Sequence, residues 1–339
     1  IVFINFENKG KTINQAFGHL HSRFFVFLTP QKFDKIRIII QYANAKLSFS
    51  SFEFYEYKEK EKSVKVDFPD LIKLMYDDDY TGYSKEIFLQ NIFDSLFINK
   101  WNLGNYYDTN FWIGNNHTRS QERWIFGYFW LQDLVSAYES TGDTKYLNKG
   151  KEIINIVRNT TKNCYSKYKL KGKTLCFGND SVNGAINKPM IWHDETVARR
   201  LFSCLYFYNY IDSIQDYPLK EYLDEEIKYM ASVLATNEFY SQDNNHGMFQ
   251  SLSLLAYSCF YNDSLALVYQ DLSLSRLFDY FLFSFTDEGI SREHTPTYHY
   301  TISNRFGYFI EFYRKYFLNI NKNYEIYNDL DTKFELSKL

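Results

Sequence analysis

Three polar clusters interrupt otherwise apolar stretches of the chain, and they hold most of the residues able to do chemistry. Residues 190–202 carry Trp192, His193, Asp194, Glu195, Arg199 and Arg200. Residues 243–250 place Asn244, Asn245 and His246 directly ahead of Gly247. Residues 287–309 are dense in Arg292, Glu293, His294, Tyr298, His299, Tyr300, Asn304 and Arg305.

Each cluster also has a plain structural use. Asn244 or Asn245 suits an N-cap, its side-chain oxygen accepting from a free backbone N–H. Asp194 suits a first helical turn, where the dipole favours negative charge. Pro296 reads as a first helical residue with Thr295 as its cap. Taken singly, a cap is the simpler explanation at each place. Three helix starts this rich in ionisable groups also suit a site.

The residue types narrow the chemistry. His294 and His299 are five apart, off a common helix face, and no HExxH occurs, so a catalytic metal is not expected. His117 has no neighbour of ligand type in sequence. No GxSxG elbow or βαβ context supports a serine hydrolase. Asp194, Glu195 and Glu293 are candidate carboxylates for glycoside hydrolysis, which depends on their separation in space. β-Elimination next to a uronate carboxylate asks for something else. Asn, His or Arg must neutralise the carboxylate, and a Tyr or His must move the C5 proton and serve the departing O4. Asn245 with His246, and Tyr298 with His299, are that set. Tyrosine is a poor base at its usual pKa of about 10, and cations such as Arg292 or Arg305 are what would improve it.

The elements that must hold these residues change character along the chain. Short β-branched and aromatic runs up to about residue 75 predict strands in IVFINFE, RFFVFLT, KIRIIIQYA, KLSFSSFEFYEY and SVKVDF, making a small sandwich or open sheet. The mixed charges of residues 57–67 read as an exposed hairpin. From about residue 85 the period becomes helical. Trp124, Tyr128, Leu131, Val135 and Tyr138 predict one helix over 122–142, stopped by Gly142. TKYLNKGKEIINIVRNT predicts the next, and longer helices follow at about 190–215, 219–237, 245–261, 264–285 and 297–317. Several are apolar on more than one face and must pack in layers. Helical hairpins without a fixed-period repeat point to a closed or half-closed (α/α) toroid rather than a solenoid. The fold class expected is therefore mainly α: an (α/α) toroid over 85–320, preceded by a small β-rich domain over 1–80, with 321–339 a polar tail or the edge of a further domain.

Composition bounds the rest. The 339 residues contain 31 Tyr and 32 Phe, an excess that an AT-rich coding bias produces, although tyrosines also line sugar-binding grooves. A net charge of −3 without a basic tract argues against nucleic acid. No run is long and apolar enough to span a membrane. Cys204 and Cys259 sit in apolar helical runs as buried thiols, whereas Cys164 and Cys176 flank a polar loop and could pair in an oxidising compartment. The first residue is Ile, which suggests a chain trimmed at its start and leaves room for an export signal.

Three stretches, WHDETVARR, NNHGMFQSLSLLAYS and REHTPTYHY, together resemble the heparinase II/III-like polysaccharide lyases and the related alginate lyases. In that family an Asn-His-Gly-like helix start is followed some fifty residues later by an H-S/T-P-x-Y-H stretch, the order found here. The resemblance covers about residues 85–317. It implies a bacterial (α/α) toroid enzyme that cleaves a uronate-containing glycan by β-elimination, periplasmic or secreted, with a cytoplasmic place left open. It implies that Asn245 neutralises the carboxylate with His246 beside it, that Tyr298 moves the proton, and that His299 supports it. Trp192, His193, Arg199, Asn244, Arg292, Glu293 and His294 would contact substrate. The partner implied is an acidic polysaccharide or oligosaccharide; oligomeric state is left open. No cofactor is expected in this chain. The family's C-terminal β-sandwich, with a further catalytic His or Tyr and a structural metal, is not found before Leu339. A non-catalytic protein of glycan binding or surface-polysaccharide assembly, and a toroid glycoside hydrolase, remain the alternatives.

Overall fold

A computed structural model of the chain describes residues 2–8, 11–18, 35–40, 64–76, 83–113, 117–161, 166–170, 173–177, 190–286, 288–292 and 295–318. Contacts divide the chain into two units. The larger comprises Phe68–Ser241 with Leu252–Tyr257, and the other the described residues of Ile1–Asp67, Gln242–Ser251 and Ser258–Leu339.

In the larger unit, short helices α1 (Phe68–Lys73), α2 (Lys85–Leu89), α3 (Phe93–Trp101), α4 (Thr109–Ile113) and α5 (Arg119–Phe126) lead into α6 (Phe129–Thr141) and α7 (Lys145–Thr160). An antiparallel hairpin follows, β4 (Ser166–Leu170) with β5 (Lys173–Phe177), and then α8 (Asp194–Tyr208) and α9 (Tyr217–Ala235). α6 packs on α7, α8 on α9, and α6 on α8. The two hairpins are asymmetric in burial. Every residue of α8 from Glu195 to Phe207 is buried, whereas α7 and α9 bury one stripe each. A helix enclosed on all sides must satisfy its polar side chains internally. Gly150 sits mid-α7, where a Cβ would meet the Phe207 ring at 2.8 Å and Leu131 Cδ1 at 2.9 Å. The missing side chain is what lets α7 approach α6 and α8, at the cost of about 1 kcal/mol in helix propensity.

The stretch expected to form one helix over 122–142 is broken. Tyr128 adopts a left-handed conformation (φ 56°, ψ 35°), which separates α5 from α6. The freed carbonyls have buried side-chain donors: Trp130 Nε1 to Ile125 O (3.0 Å), and Arg200 to Phe126 O (2.8 Å). Ser203 Oγ, which donates to Arg199 O at 2.9 Å, also lies 3.2 Å from Gly127 O. Apolar period alone cannot reveal such a break, because Tyr128 remains buried on the face that the period assigns to it. Gly142 (φ 73°) ends α6 as expected.

The other unit contains α10 (Asn245–Phe260) at both its ends, α11 (Ser264–Ser284) and α12 (Pro296–Tyr316). α11 and α12 pack through rings, with Phe281 stacked on Phe306 (4.4 Å, 4°) and Phe278 edge-on to Tyr313 (5.0 Å, 76°). Asp263 caps α11 by accepting from Ala266 N. Residues 64–67 form an irregular strap in place of the strand expected for SVKVDF, and residues 68–73, also read as β-structure, are α1. The wholly buried Gln270 amide holds both backbone groups of Val64 (3.1 and 3.3 Å), and Lys65 Nζ donates to Phe260 O at the C-terminus of α10 (2.7 Å). Strap pairing with a side chain removes the ladder that a strand would need.

β1 (Val2–Asn8), β2 (Lys11–Gly18) and β3 (Lys35–Ile40) form an antiparallel sheet in the order β2-β1-β3. β1 and β3 fall on IVFINFE and KIRIIIQYA, while β2 was not expected from KTINQAFG, whose apolar residues do not alternate cleanly. The expected strands RFFVFLT and KLSFSSFEFYEY, and most of the charged hairpin at 57–67, lie outside the described residues. So do Cys164 and the tail at 321–339, while the loop flanked by Cys164 and Cys176 contains the β4–β5 hairpin. Cys204 and Cys259 are buried thiols, and burial pushes both well above their usual pKa. Among the described residues no helix is long and apolar enough to cross a membrane.

Asp133 of α6 is fully buried against Trp101 Nε1 (2.6 Å) and Lys100 Nζ (3.1 Å). Burial pushes its carboxyl up to about 6, although Lys100 and the Trp101 hydrogen bond act the other way. A folded-state pKa above the unfolded value means that the folded protein binds the extra proton. Stability from this group is therefore full below about pH 4 and falls as pH rises to about 6, by roughly 2–3 kcal/mol. Asp133→Asn should flatten that part of the stability profile, measured by urea unfolding from pH 4 to pH 7 in both proteins.

Candidate functional site

α8 begins at His193, which is extended (φ −64°, ψ 138°) and makes no side-chain cap. Capping passes to Asp194, whose Oδ1 accepts from Glu195 N (2.6 Å) and stands 2.9 Å from His193 Nδ1. The Ser241 hydroxyl donates to Asp194 Oδ2 in a short hydrogen bond. Glu195 is buried between two arginines, with Arg123 2.9 Å from Oε2 and Arg199 Nε 3.5 Å from Oε1. Neither carboxylate is left without a donor, which matters for any chemistry that would ask one to give up a proton.

Arg200, 2% exposed, ties this helix start to the α5–α6 break. One guanidinium nitrogen reaches both Phe126 O (2.8 Å) and Ile191 O (3.2 Å), and the group lies 5.7 Å from the Trp192 ring centre. Burial lowers the Arg200 pKa, with Tyr128 and Glu226 acting to raise it; arginine stays charged regardless. Of the residues expected to contact substrate, Trp192 is buried edge-on to Tyr229 (6.3 Å, 88°), and Arg199 is buried with its guanidinium over Phe129 (5.5 Å). His193 is half-buried.

In the other unit α10 starts after Asp243, which is left-handed (φ 61°). Asn244 is the cap. Its Oδ1 accepts from His246 N (2.9 Å) and Gly247 N (3.2 Å), so Asn245 is the first helical residue and its side chain is not spent on capping. Asn245 and His246 are half-buried, and the helix is buried from Gly247 to Cys259. α12 starts as expected, with Pro296 in its first turn and Thr295 Oγ1 accepting from Tyr298 N (3.2 Å). Tyr298 is 45% exposed in that turn, and His299 is half-buried beside the Phe285 ring. Both pairs thus stand at helix N-termini, where free N–H groups and the dipole favour an anion.

The smaller unit therefore holds Asn244, Asn245, His246, Arg292, Tyr298 and His299, and the larger holds Trp192, His193 and Arg199. Glu293 and His294 lie outside the described residues. The Arg292 guanidinium lies over Phe283 (5.3 Å), and the buried Arg305 lies over Tyr308 (5.8 Å). His117 Nε2 contacts Phe111 O at 2.6 Å, next to the Thr118–Gln121 capping box of α5. Arg123, Ser241 and Ser291, which hold Glu195, Asp194 and His299, were not singled out in the sequence. Arg123 and Ser241 are dozens of residues from the groups they hold, and Ser291 acts through its backbone, so local spacing marks none of them.

The chain matches no protein-family model and no curated protein sequence. Among solved structures it is similar to a heparinase III, the BT4657 gene product, at 19% identity over 70% of this chain and 36% of that one, with a TM-score of 0.52. It is also similar to the heparan sulfate lyase HepC from Pedobacter heparinus, at 15% identity over 69% and 33%, with a TM-score of 0.49. The chain thus spans about a third of the length of these proteins. The first likeness shows a shared helical fold.

Asn244→Ala should cost about 1 kcal/mol through loss of the cap, while Asn245→Ala should leave stability within about 0.5 kcal/mol of the parent. Denaturant unfolding of the two variants checks the division of labour. Equal losses would put both asparagines in the cap.

Proposed function

We propose that the chain is the helical portion of a polysaccharide lyase, which cleaves a uronic-acid-containing glycan by β-elimination. The observation that carries this reading is the pair of separately capped helix starts in one unit, presenting Asn245 with His246 and Tyr298 with His299. Asn244 and Thr295 supply the caps, so the capping role does not fall to the side chains of those four residues. The helical fold shared with a heparinase III supports it. A toroidal arrangement of the hairpins is part of the proposal, as are a periplasmic or secreted location and a metal-bearing β-sandwich in the complete protein.

In this mechanism the carboxylate of the uronate meets the Asn245 amide and His246 at the positive end of α10. Neutralising that charge makes the C5 proton more acidic, because the carbanion-like transition state is stabilised more than the ground state. Tyr298 then takes the C5 proton as the C4–C5 double bond forms and the C4–O4 bond breaks, and it returns that proton to the departing O4. Its exposure at the start of α12 lets a glycan reach it. Arg292, in the same unit as Asn245 and Tyr298, would contact the chain of sugars, while the buried Trp192 and Arg199 support the start of α8 in the larger unit. Hydrolysis through Asp194 or Glu195 is the weaker reading, since the oxygens of both already face donors.

The full chain, incubated with heparan sulfate, other glycosaminoglycans and alginate, should raise the ultraviolet absorbance of the unsaturated product. Tyr298→Phe should lower the rate by about 10²–10⁴-fold with folding intact. Absence of that product with every uronate polymer, including with added divalent metal, would sink the lyase reading. Binding without turnover would select a glycan-binding protein, and new reducing ends without unsaturation a hydrolase.

A further inference from the structure

The loop joining α11 to α12 closes on itself and then reaches forward to α12. Phe285 and Ser291 pair as an antiparallel bridge, Arg292 N donates to Ser284 O (2.8 Å), and Thr286 N donates to Ile290 O (2.9 Å). Gly289 makes the reversal at φ 80°, a conformation that side-chain-bearing residues rarely adopt. Thr286 Oγ1 secures the far side by accepting from Ile290 N at 3.2 Å. Ser291 emerges wholly buried, and its N–H points at His299 Nδ1, 3.2 Å away. The Phe285 ring meets the imidazole edge-on (5.9 Å, 84°) and limits its rotation.

A ring nitrogen that accepts a hydrogen bond carries no proton. The one proton of a neutral imidazole then sits on the other nitrogen, Nε2. We propose that residues 285, 286 and 289–292 form a positioning element that holds His299 as the neutral Nε2–H tautomer, which makes this histidine a hydrogen-bond donor rather than the proton acceptor. The use of that donor rests on the function proposed above; the tautomer itself does not. A fixed N–H donor suits a carboxylate or a developing oxyanion. His299 therefore joins Asn245 and His246 in neutralising charge and leaves proton movement to Tyr298. Ser291 and Gly289 act through His299 and are positioning residues.

Nuclear magnetic resonance of the full chain, with nitrogen-15 in serine and histidine, reads this directly and without substrate. Nδ1 of His299 should be unprotonated at neutral pH and coupled through the hydrogen bond to the Ser291 amide nitrogen; His299→Leu identifies the signals by their loss. In that variant the Ser291 amide should exchange with solvent about tenfold faster or more, the loss of one net hydrogen bond. Gly289→Val should weaken the coupling. A proton on Nδ1 in the parent protein overturns the proposal, and decides it alone should the variants not fold. An unchanged Ser291 exchange rate in folded His299→Leu, or an unchanged coupling in folded Gly289→Val, overturns it as well. A lyase assay that fails while Nδ1 is unprotonated would count against the function and leave the tautomer standing.

Discussion

The buried guanidinium of Arg200 is the interaction on which the larger unit depends. A left-handed residue at position 128 breaks a helix inside the core, and a break there is tolerable only if the exposed carbonyls find donors. α8 supplies one through Arg200, with Ser203 close by, and α6 supplies another through Trp130. Because the same guanidinium also takes Ile191 O, the break and the start of α8 are held by one group. The geometry around His193, Asp194 and Glu195 follows from that shared anchor. Burying such a charge is expensive, and the nearby Glu226 carboxylate acts to offset part of the cost.

The smaller unit solves a different problem. Its two helix starts need caps, and a side chain that caps is committed. Asn244 and Thr295 take that duty, each immediately before the residues of chemical interest. Adjacent residues with similar chemistry thus separate into a structural member and an available one. A polar cluster that serves as a helix start and one that serves as a site are the same stretch of chain, divided by position within the turn.

Much of this was legible in the sequence, for local reasons. The starts of α10 and α12 and the stop at Gly142 follow from caps, Pro296 and glycine, all of which act within a few residues. The long helices α7 to α12 follow from apolar period. The break at Tyr128 was not legible, because its donors come mostly from α8, far along the chain. SVKVDF reads as a strand from its β-branched and aromatic residues, yet α1 begins at Phe68 and the partner that holds Val64 is a side chain in α11. In the candidate site the four central residues were visible by type, but the hold on His299 was not. It comes from the backbone of Ser291, and a backbone N–H has no letter in a sequence.

Gln270 has a practical meaning for where this chain can be cut. Its amide is sealed from water, accepts from Val64 N, and donates to Val64 O and to Cys259 Sγ. A shortened form beginning after Asp67 would leave that amide facing an empty slot, with Lys65 also gone from the end of α10. The strap at residues 64–67 is therefore tied to α10 and α11, and a helical fragment has to start upstream of Val64.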